Sequence, residues 1–288
     1  MSDLSQSAQA DPGGGPRRWN AGVVGGVLFL AIAVPCFVTL PWSLARYDRQ
    51  QTADIEQVLA APSWTEPMGT DGLGRSVLWR SLLGGAISLG IGLAAAGIAV
   101  GIGVTWGMVS GYVGGRTDAA MMRAVDVLYG LPYILLVVMV TLALQPVMAK
   151  GFSWVLDESV AGTVADVVTL LLAIGGVSWL TMARVIRGQV LSLKERPFVE
   201  AARAAGIGPV WILWRHLVPN MTGPIVVYAT LTVPQAILQE SLLSFLGIGV
   251  QAPLPSWGNL ASEGRSSLGS LAKLGGGGGG GGGFSWCW

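Results

Sequence analysis

The chain has 288 residues, 52% of them hydrophobic and 11% charged, with 17 basic against 16 acidic side chains; ordinary soluble domains carry roughly 25% charged residues. That composition, with a mean hydropathy of +0.59, argues against a soluble enzyme, and the near-balanced charge argues against a nucleic-acid binder. One histidine and two cysteines, Cys36 and Cys287, leave no structural zinc site and no disulfide framework. No Walker A pattern and no G-x-S-x-G elbow occurs, so no enzymatic chemistry is expected of this chain itself.

Residues 1–20 read as a disordered N-terminus ending in Arg17 and Arg18. The charge-free stretches that follow are long enough for membrane helices, which need roughly 20 apolar residues. Trimmed of polar flanks, they predict spans near 21–42, 82–109, 124–148, 165–185 and 224–247. The first is too long for the ~7–15-residue core of a signal peptide and reads as a retained anchor. Residues 43–81 form the loop after it. The second span carries Gly97-x-x-x-Gly101, Gly103-x-x-x-Gly107 and Ala94-Ala95-Ala96, small-residue spacings that permit close helix packing in lipid. Residues 82–264 form the core of the bundle, and 265–288 a glycine-rich tail.

Orientation follows from the basic residues, which concentrate in cytoplasmic loops. The segment 184–223 holds Arg184, Arg187, Lys194, Arg196, Arg203 and Arg215 against Glu195 and Glu200, whereas 43–75 holds five acids against three arginines. A cytoplasmic N-terminus satisfies both, with 184–223 a large cytoplasmic loop. Within it Pro197 is placed to open a short helix that Gly206 ends in the left-handed conformation. Pro209 opens a second, from Val210 to Leu217, which Pro219 terminates. Ala201, Ala202, Ala204 and Ala205 leave the first helix smooth enough for another protein's groove, while Glu200 complements the helix dipole. The residues alone fit equally an amphipathic loop lying on lipid headgroups.

Glu200-Ala201-Ala202, then Gly206, then His216-Leu217-Val218-Pro219-Asn220 resembles the EAA loop of ABC-importer permeases. More narrowly, the chain resembles the second membrane subunit of the dipeptide/oligopeptide/nickel permease family. Gly69-Thr70-Asp71 with Gly74-Arg75 resembles that family's segment before the second span. Ser110-Gly111-Tyr112, Gly114-Gly115, Arg123 and Asp126-Val127 resemble its next turn. Ser244-Phe245-Leu246-Gly247 and Pro253 through Pro255-Ser256-Trp257-Gly258 resemble a block after the fifth span. The resemblance covers Pro62 to Gly264, with Ile87 standing where the family usually has Arg.

The resemblance implies an all-α polytopic helix bundle of the type I ABC-importer permease fold, in a bacterial inner membrane. It implies a second permease subunit, cytoplasmic ATP-binding subunits that carry ATP and Mg, and an extracytoplasmic solute-binding protein as partners, with no cofactor or metal on this chain. By it, Glu200, Ala201, Ala202, Arg203, Gly206, His216 and Pro219 form the loop that couples to the ATPase. Glu200 is the expected polar anchor and Gly206 the bend.

Ionisable residues within spans are functional candidates because hydrocarbon penalises them. Arg123 and Asp126 are expected as an interfacial ion pair. Gln235, Gln239 and Glu240 fit either a polar translocation path or hydrogen bonds between helices. A path with few charges suits a cargo carried by its backbone, such as a peptide; nickel or another small solute is the alternative within the family. An ATP-independent carrier would show inverted repeats or intramembrane charge pairs, and neither is evident in the sequence. The family's sixth span is not evident either. Pro253, Pro255 and the Gly and Ser residues beyond predict a loop, followed by nine successive glycines from Gly275 to Gly283. A frame slip in a guanine-rich tract would produce such a tail, so a non-functional truncated product is a further alternative.

Overall fold

The structure is a computed structural model that describes residues 21–48, 58, 60–154, 156–251 and 253–275. The expected N-terminal segment 1–20 and most of the glycine tail lie outside the described residues. The remainder is α-helical with no strand among the described residues, as the all-α expectation requires.

Helices α1 (Ala21–Val38) and α2 (Leu40–Arg46) are joined at a 56° bend. Pro35 removes one ladder donor, and the Thr39 hydroxyl donates to the Pro35 carbonyl at 2.6 Å just where the axis turns. Helix α3 (Val77–Val113) has 37 residues and α6 (Glu158–Leu193) has 36, about 55 Å each at 1.5 Å per residue. Both exceed the ~30 Å hydrocarbon thickness, so their ends project beyond the apolar layer. Between them lie α4 (Gly115–Tyr129) and α5 (Tyr133–Phe152). Helix α10 (Thr222–Phe245) follows the loop helices, and α11 (Trp257–Gly275) follows α10. Three helices (α3, α5 and most of α6) are singly long and apolar enough to cross a membrane. Two bent pairs, α1–α2 and residues 209–220 with α10 (69° apart), meet the same length and composition test only when each pair is counted as one, which gives up to five among the described residues.

Several boundaries differ from the sequence expectation. The third span does not run unbroken over 124–148: Gly130-Leu131-Pro132 interrupts it, because Pro132 has no N–H and restricts the residue before it. Arg184 to Leu193 belong to α6, so the loop expected at 184–223 begins only at Lys194. The stretch after Pro255 is a helix rather than a loop. It opens at Trp257 and crosses the expected 264/265 boundary, although it is too polar to qualify as a span.

The bundle's spine is the α3–α6 pair, and its closeness is set by glycine. A Cβ on Gly103 would lie 2.5 Å from Met182 Cβ, one on Gly107 2.6 Å from the Ala183 carbonyl oxygen, and one on Gly111 2.9 Å from Val190 Cβ. These glycines recur every four residues, which places them on one face. The other expected motif has a different position: a Cβ on Gly97 or Gly101 would meet nothing within 4 Å. Ala95, Ala99, Leu170, Ala173 and Ile174 continue the buried seam upward.

The end opposite the loop helices is pinned by ions. The Asp71 carboxylate accepts from the backbone N–H groups of Leu73 and Arg75, at 2.8 and 2.9 Å, and from Arg75 Nε at 2.8 Å. Burial opposes ionisation of Asp71, but these donors and the Arg75 charge outweigh it and hold the carboxyl below its ordinary range. Buried Arg80 donates to Asp71 at 2.6 Å and to both Glu263 oxygens at 2.5 and 2.9 Å, tying α3 to α11. Trp257 sits over Gly85, where a Cβ would lie 2.8 Å from its ring, and donates its indole N–H to the Ser81 carbonyl at 3.2 Å.

Candidate functional site

The EAA-like segment folds as a compact knob. Helix α7 (Pro197–Ala204) is opened by Pro197 and closed by Gly206, whose φ of +76° is the left-handed region. The Gly206 N–H donates to the Arg203 carbonyl at 2.9 Å, and that of Ile207 to Ala202 at 3.1 Å. This pair of bonds is the Schellman pattern. A short helix, α8 (Pro209–Ile212), then runs through a π turn (Leu213–Leu217) into α9 (Val218–Asn220). Pro219 was expected to stop this helix; instead the chain stays helical through it. The wide turn comes just before Pro219, whose missing N–H would leave a carbonyl of a regular helix unbonded. The π turn also has a packing role. Residues five apart on an α-helix diverge by about 140°, yet Ile212 and Leu217 are both fully buried. The extra residue in the turn brings both to the inner face.

That inner face welds the knob to the spine. Val199, Ala202, Ile212, Leu217 and Met221 pack with Val104, Met108, Met182, Ile186 and Val190. Ala202 therefore serves the interior rather than a partner's groove. Ala201, Ala204 and Ala205 remain exposed, as do Glu200, Arg203 and Pro219, with His216 half-buried. The outer surface also carries Val210, Trp211 and Trp214, each more than half exposed, and Phe198. None of these is among the site residues expected from the sequence. The signal was present: Trp211 and Trp214 are three apart in a basic loop and so share a helix face.

A second set of bonds anchors the base of the knob. Asp118, at the start of α4, accepts from Arg187 Nε and Nη2 at 2.5 and 2.6 Å and from the Ser110 hydroxyl at 2.5 Å. The Arg187 hydrogen bonds hold its carboxyl below the ordinary range against partial burial, helped by Ser110 and the Arg187 and Lys194 charges. Lys194 Nζ donates to the Gly111 carbonyl at 3.1 Å. The expected Arg123–Asp126 pair does not form. Asp126 instead accepts from Arg184 at 2.7 Å, whose guanidinium lies 3.9 Å from the Tyr129 ring centre. Three residues along a helix do bring Arg123 and Asp126 to neighbouring positions, but α6 supplies a closer cation.

The three polar residues of α10 separate into two environments. Gln235 and Gln239 line a cavity of about 310 Å³ together with Tyr129, Tyr133, Ser178 and Thr181. Its polar lining is hydroxyl and amide, with no charged side chain. Glu240 does not join them. It is fully buried on another side of α10, accepting from the hydroxyls of Ser88 and Ser244 at 2.7 Å each. Ser88 also accepts from the Trp257 backbone N–H at 3.3 Å. Glu240 thus ties α10 to α3 and to the start of α11, and the translocation-path expectation is corrected for this residue.

Residues 103–275, which contain the glycine seam, the Asp118 anchor, the knob and this cavity, match the model of the binding-protein-dependent transport system inner membrane component family. The chain belongs to that family. It is 40% identical over 242 residues to the oligopeptide transport system permease protein OppC of Bacillus subtilis, covering 84% of this chain and 70% of that one. It is 40% identical over 243 residues to OppC of Escherichia coli K12, covering 84% and 74%. It is 44% identical over 203 residues to the dipeptide transport system permease protein DppC of Bacillus subtilis, covering 70% and 58%. The knob and the cavity are therefore features of a multi-pass inner membrane transport component, and its relatives are transport permeases.

Proposed function

We propose that this chain is a membrane subunit of an ATP-driven peptide importer, with its N-terminus in the cytoplasm and the knob docked on a separate ATP-hydrolysing subunit. A second permease completes the path, and an extracytoplasmic binding protein delivers the cargo. The observation that carries this reading is the two-sidedness of the knob. Its inner face is buried against α3 and α6, while its outer face presents Glu200, Arg203, Trp211 and Trp214, with both indoles more than half exposed. A rigid element fixed to two long helices passes a partner's rigid-body movement into the bundle, provided the partner contacts it differently in its two states. The uncharged lining of the α10 cavity suits a cargo held through backbone amides, and the peptide permeases among the relatives support the same cargo class.

Affinity purification of the tagged chain from its native membrane, with mass spectrometry of what accompanies it, tests this reading. Walker A ATPases and a second permease are expected in the wild-type sample. The ATPases are expected to be lost on Glu200→Arg while the second permease is retained. Recovery of the same ATPases with Glu200→Arg and with a Trp211→Glu/Trp214→Glu variant would overturn the docking role of the knob.

A further inference from the structure

Tyr133 opens α5 at the break left by Gly130-Leu131-Pro132. Its hydroxyl donates to Gln239 Oε1 of α10 at 2.6 Å and lies 3.1 Å from Ser178 Oγ of α6. One side chain thereby joins three helices. It also forms a common wall of two cavities. The first is the polar one of about 310 Å³ that Gln235 and Gln239 line. The other, of about 230 Å³, lies between the α4–α5 break and α6 and is lined by Tyr129, Leu131, Leu136 and Val177. The same ring walls a small apolar crevice beside Leu242 and Leu243.

The backbone at this point is suited to movement. Leu136 is the first residue of α5 whose N–H bonds back into the turn, to the Pro132 carbonyl at 3.0 Å, and Pro132 itself has no N–H to give. Helices α4 and α5 both run along α6, through the Asp126–Arg184, Tyr133–Ser178 and Gln145–Asp166 contacts, so the break lies between two anchored segments. Pro-bearing breaks of this kind are where a helix axis can change direction at least cost in backbone hydrogen bonds. A rotation there would carry the Tyr133 ring, which walls both cavities, out from between them.

We infer that Tyr133 is a gate residue of the translocation path, held closed by its hydrogen bonds to Gln239 and Ser178. Opening joins the polar cavity to the mainly apolar one beside the break, giving an extended peptide a continuous passage with amide and hydroxyl partners along one part and room for side chains along the other. The inference rests on the permease reading above and adds to it the position and chemistry of the barrier. The latch is neutral, so its strength is insensitive to the charge of the cargo. It is also modest, a property a gate needs if ATP-driven rearrangement is to open it in every cycle.

The test uses the complete complex in proteoliposomes, with a dye-labelled trialanine as probe. ATP-driven uptake by the wild type establishes the permease reading, and its absence overturns that reading and this inference with it. Efflux of preloaded probe without ATP then reads the gate. Tyr133→Phe keeps the ring and removes the latch, and loss of two hydrogen bonds predicts about a tenfold faster leak. Gln239→Leu predicts a smaller increase, and the double variant leaks no faster than Tyr133→Phe. Leu135→Ala, on the exposed side of the same helix and lining neither cavity, is expected to stay sealed. Uptake by the wild type with no added leak in Tyr133→Phe and Gln239→Leu, or an equal leak in Leu135→Ala, would overturn the gate.

Discussion

Gly107 offers the sharpest test of how the bundle is held together. A Cβ there would lie 2.6 Å from the Ala183 carbonyl oxygen, 2.8 Å from Ile186 Cβ and 2.9 Å from the Arg187 N. Ordinary contact begins at 3.4 Å, so the closest approach falls short by about 0.8 Å. Two of the three neighbours are backbone atoms of α6 and cannot rotate away, so Gly107→Ala must push α3 and α6 apart. Overpacking of this kind costs about 1–3 kcal/mol, offset by less than about 1 kcal/mol of gained helix propensity. The internal control is Gly101→Ala, in the neighbouring small-residue motif, where the new methyl meets nothing within 4 Å and the propensity gain stands alone. Thermal unfolding in detergent, followed by fluorescence-detected size exclusion, is expected to show Gly107→Ala melting several degrees below the wild type, and Gly101→Ala at or slightly above it. Equal melting of the two variants would refute the claim that backbone approach at Gly107 sets the α3–α6 distance.

Three further outcomes are expected. Replacing buried Arg80 by Leu removes its bonds to Asp71 and Glu263 and so the tie between α3 and α11, while Asp71 keeps Arg75 and two backbone N–H donors; the chain should lose about 1–3 kcal/mol, Glu263→Gln, at the more exposed partner, should cost less, and melting curves of the two variants check the order. The depressed carboxyl of Asp118 contributes stability that is fully present above the ordinary Asp value of about 3.9 and is lost as pH falls through its lower folded value; Asp118→Asn should therefore lower the melting temperature at pH 6 and flatten its dependence between about pH 5 and 3. Gly206→Val places a branched side chain at φ +76°, at a cost of more than about 1 kcal/mol; cargo-stimulated ATPase of the assembled complex should fall, with Gly206→Asn retaining more activity than Gly206→Val.

The local features of the knob were legible because their causes are local. Pro197 cannot sit deep in a helix and favours its first turn, and Gly206, which follows four alanines and an arginine, takes a positive φ without strain. Charge-free length picked out the apolar segments, a property that lipid imposes on any sequence, but not that only α3, α5 and most of α6 are each singly long and apolar enough to span. Helix ends were less legible. Arg184 and Arg187 look like loop residues by composition, but their charges are matched by Asp126 and Asp118 from α4, and α6 continues through them. Pro219 reads as a terminator until the π turn before it supplies the room it needs.

What the sequence by itself determined is the class of molecule, the positions of its apolar segments and the two short helices of the loop, since each depends on residues within a few positions of one another. Only the tertiary structure decided which glycines matter, where Gln239 and Glu240 point and which acid pairs with which arginine. Gly101 and Gly107 are indistinguishable as motif members, and Gln239 and Glu240 are adjacent, yet one of each pair meets α6 or lines a cavity while the other does not. The difference lies in the angular position of each residue on a helix whose neighbours come from more than 60 residues away, and no local pattern carries that angle.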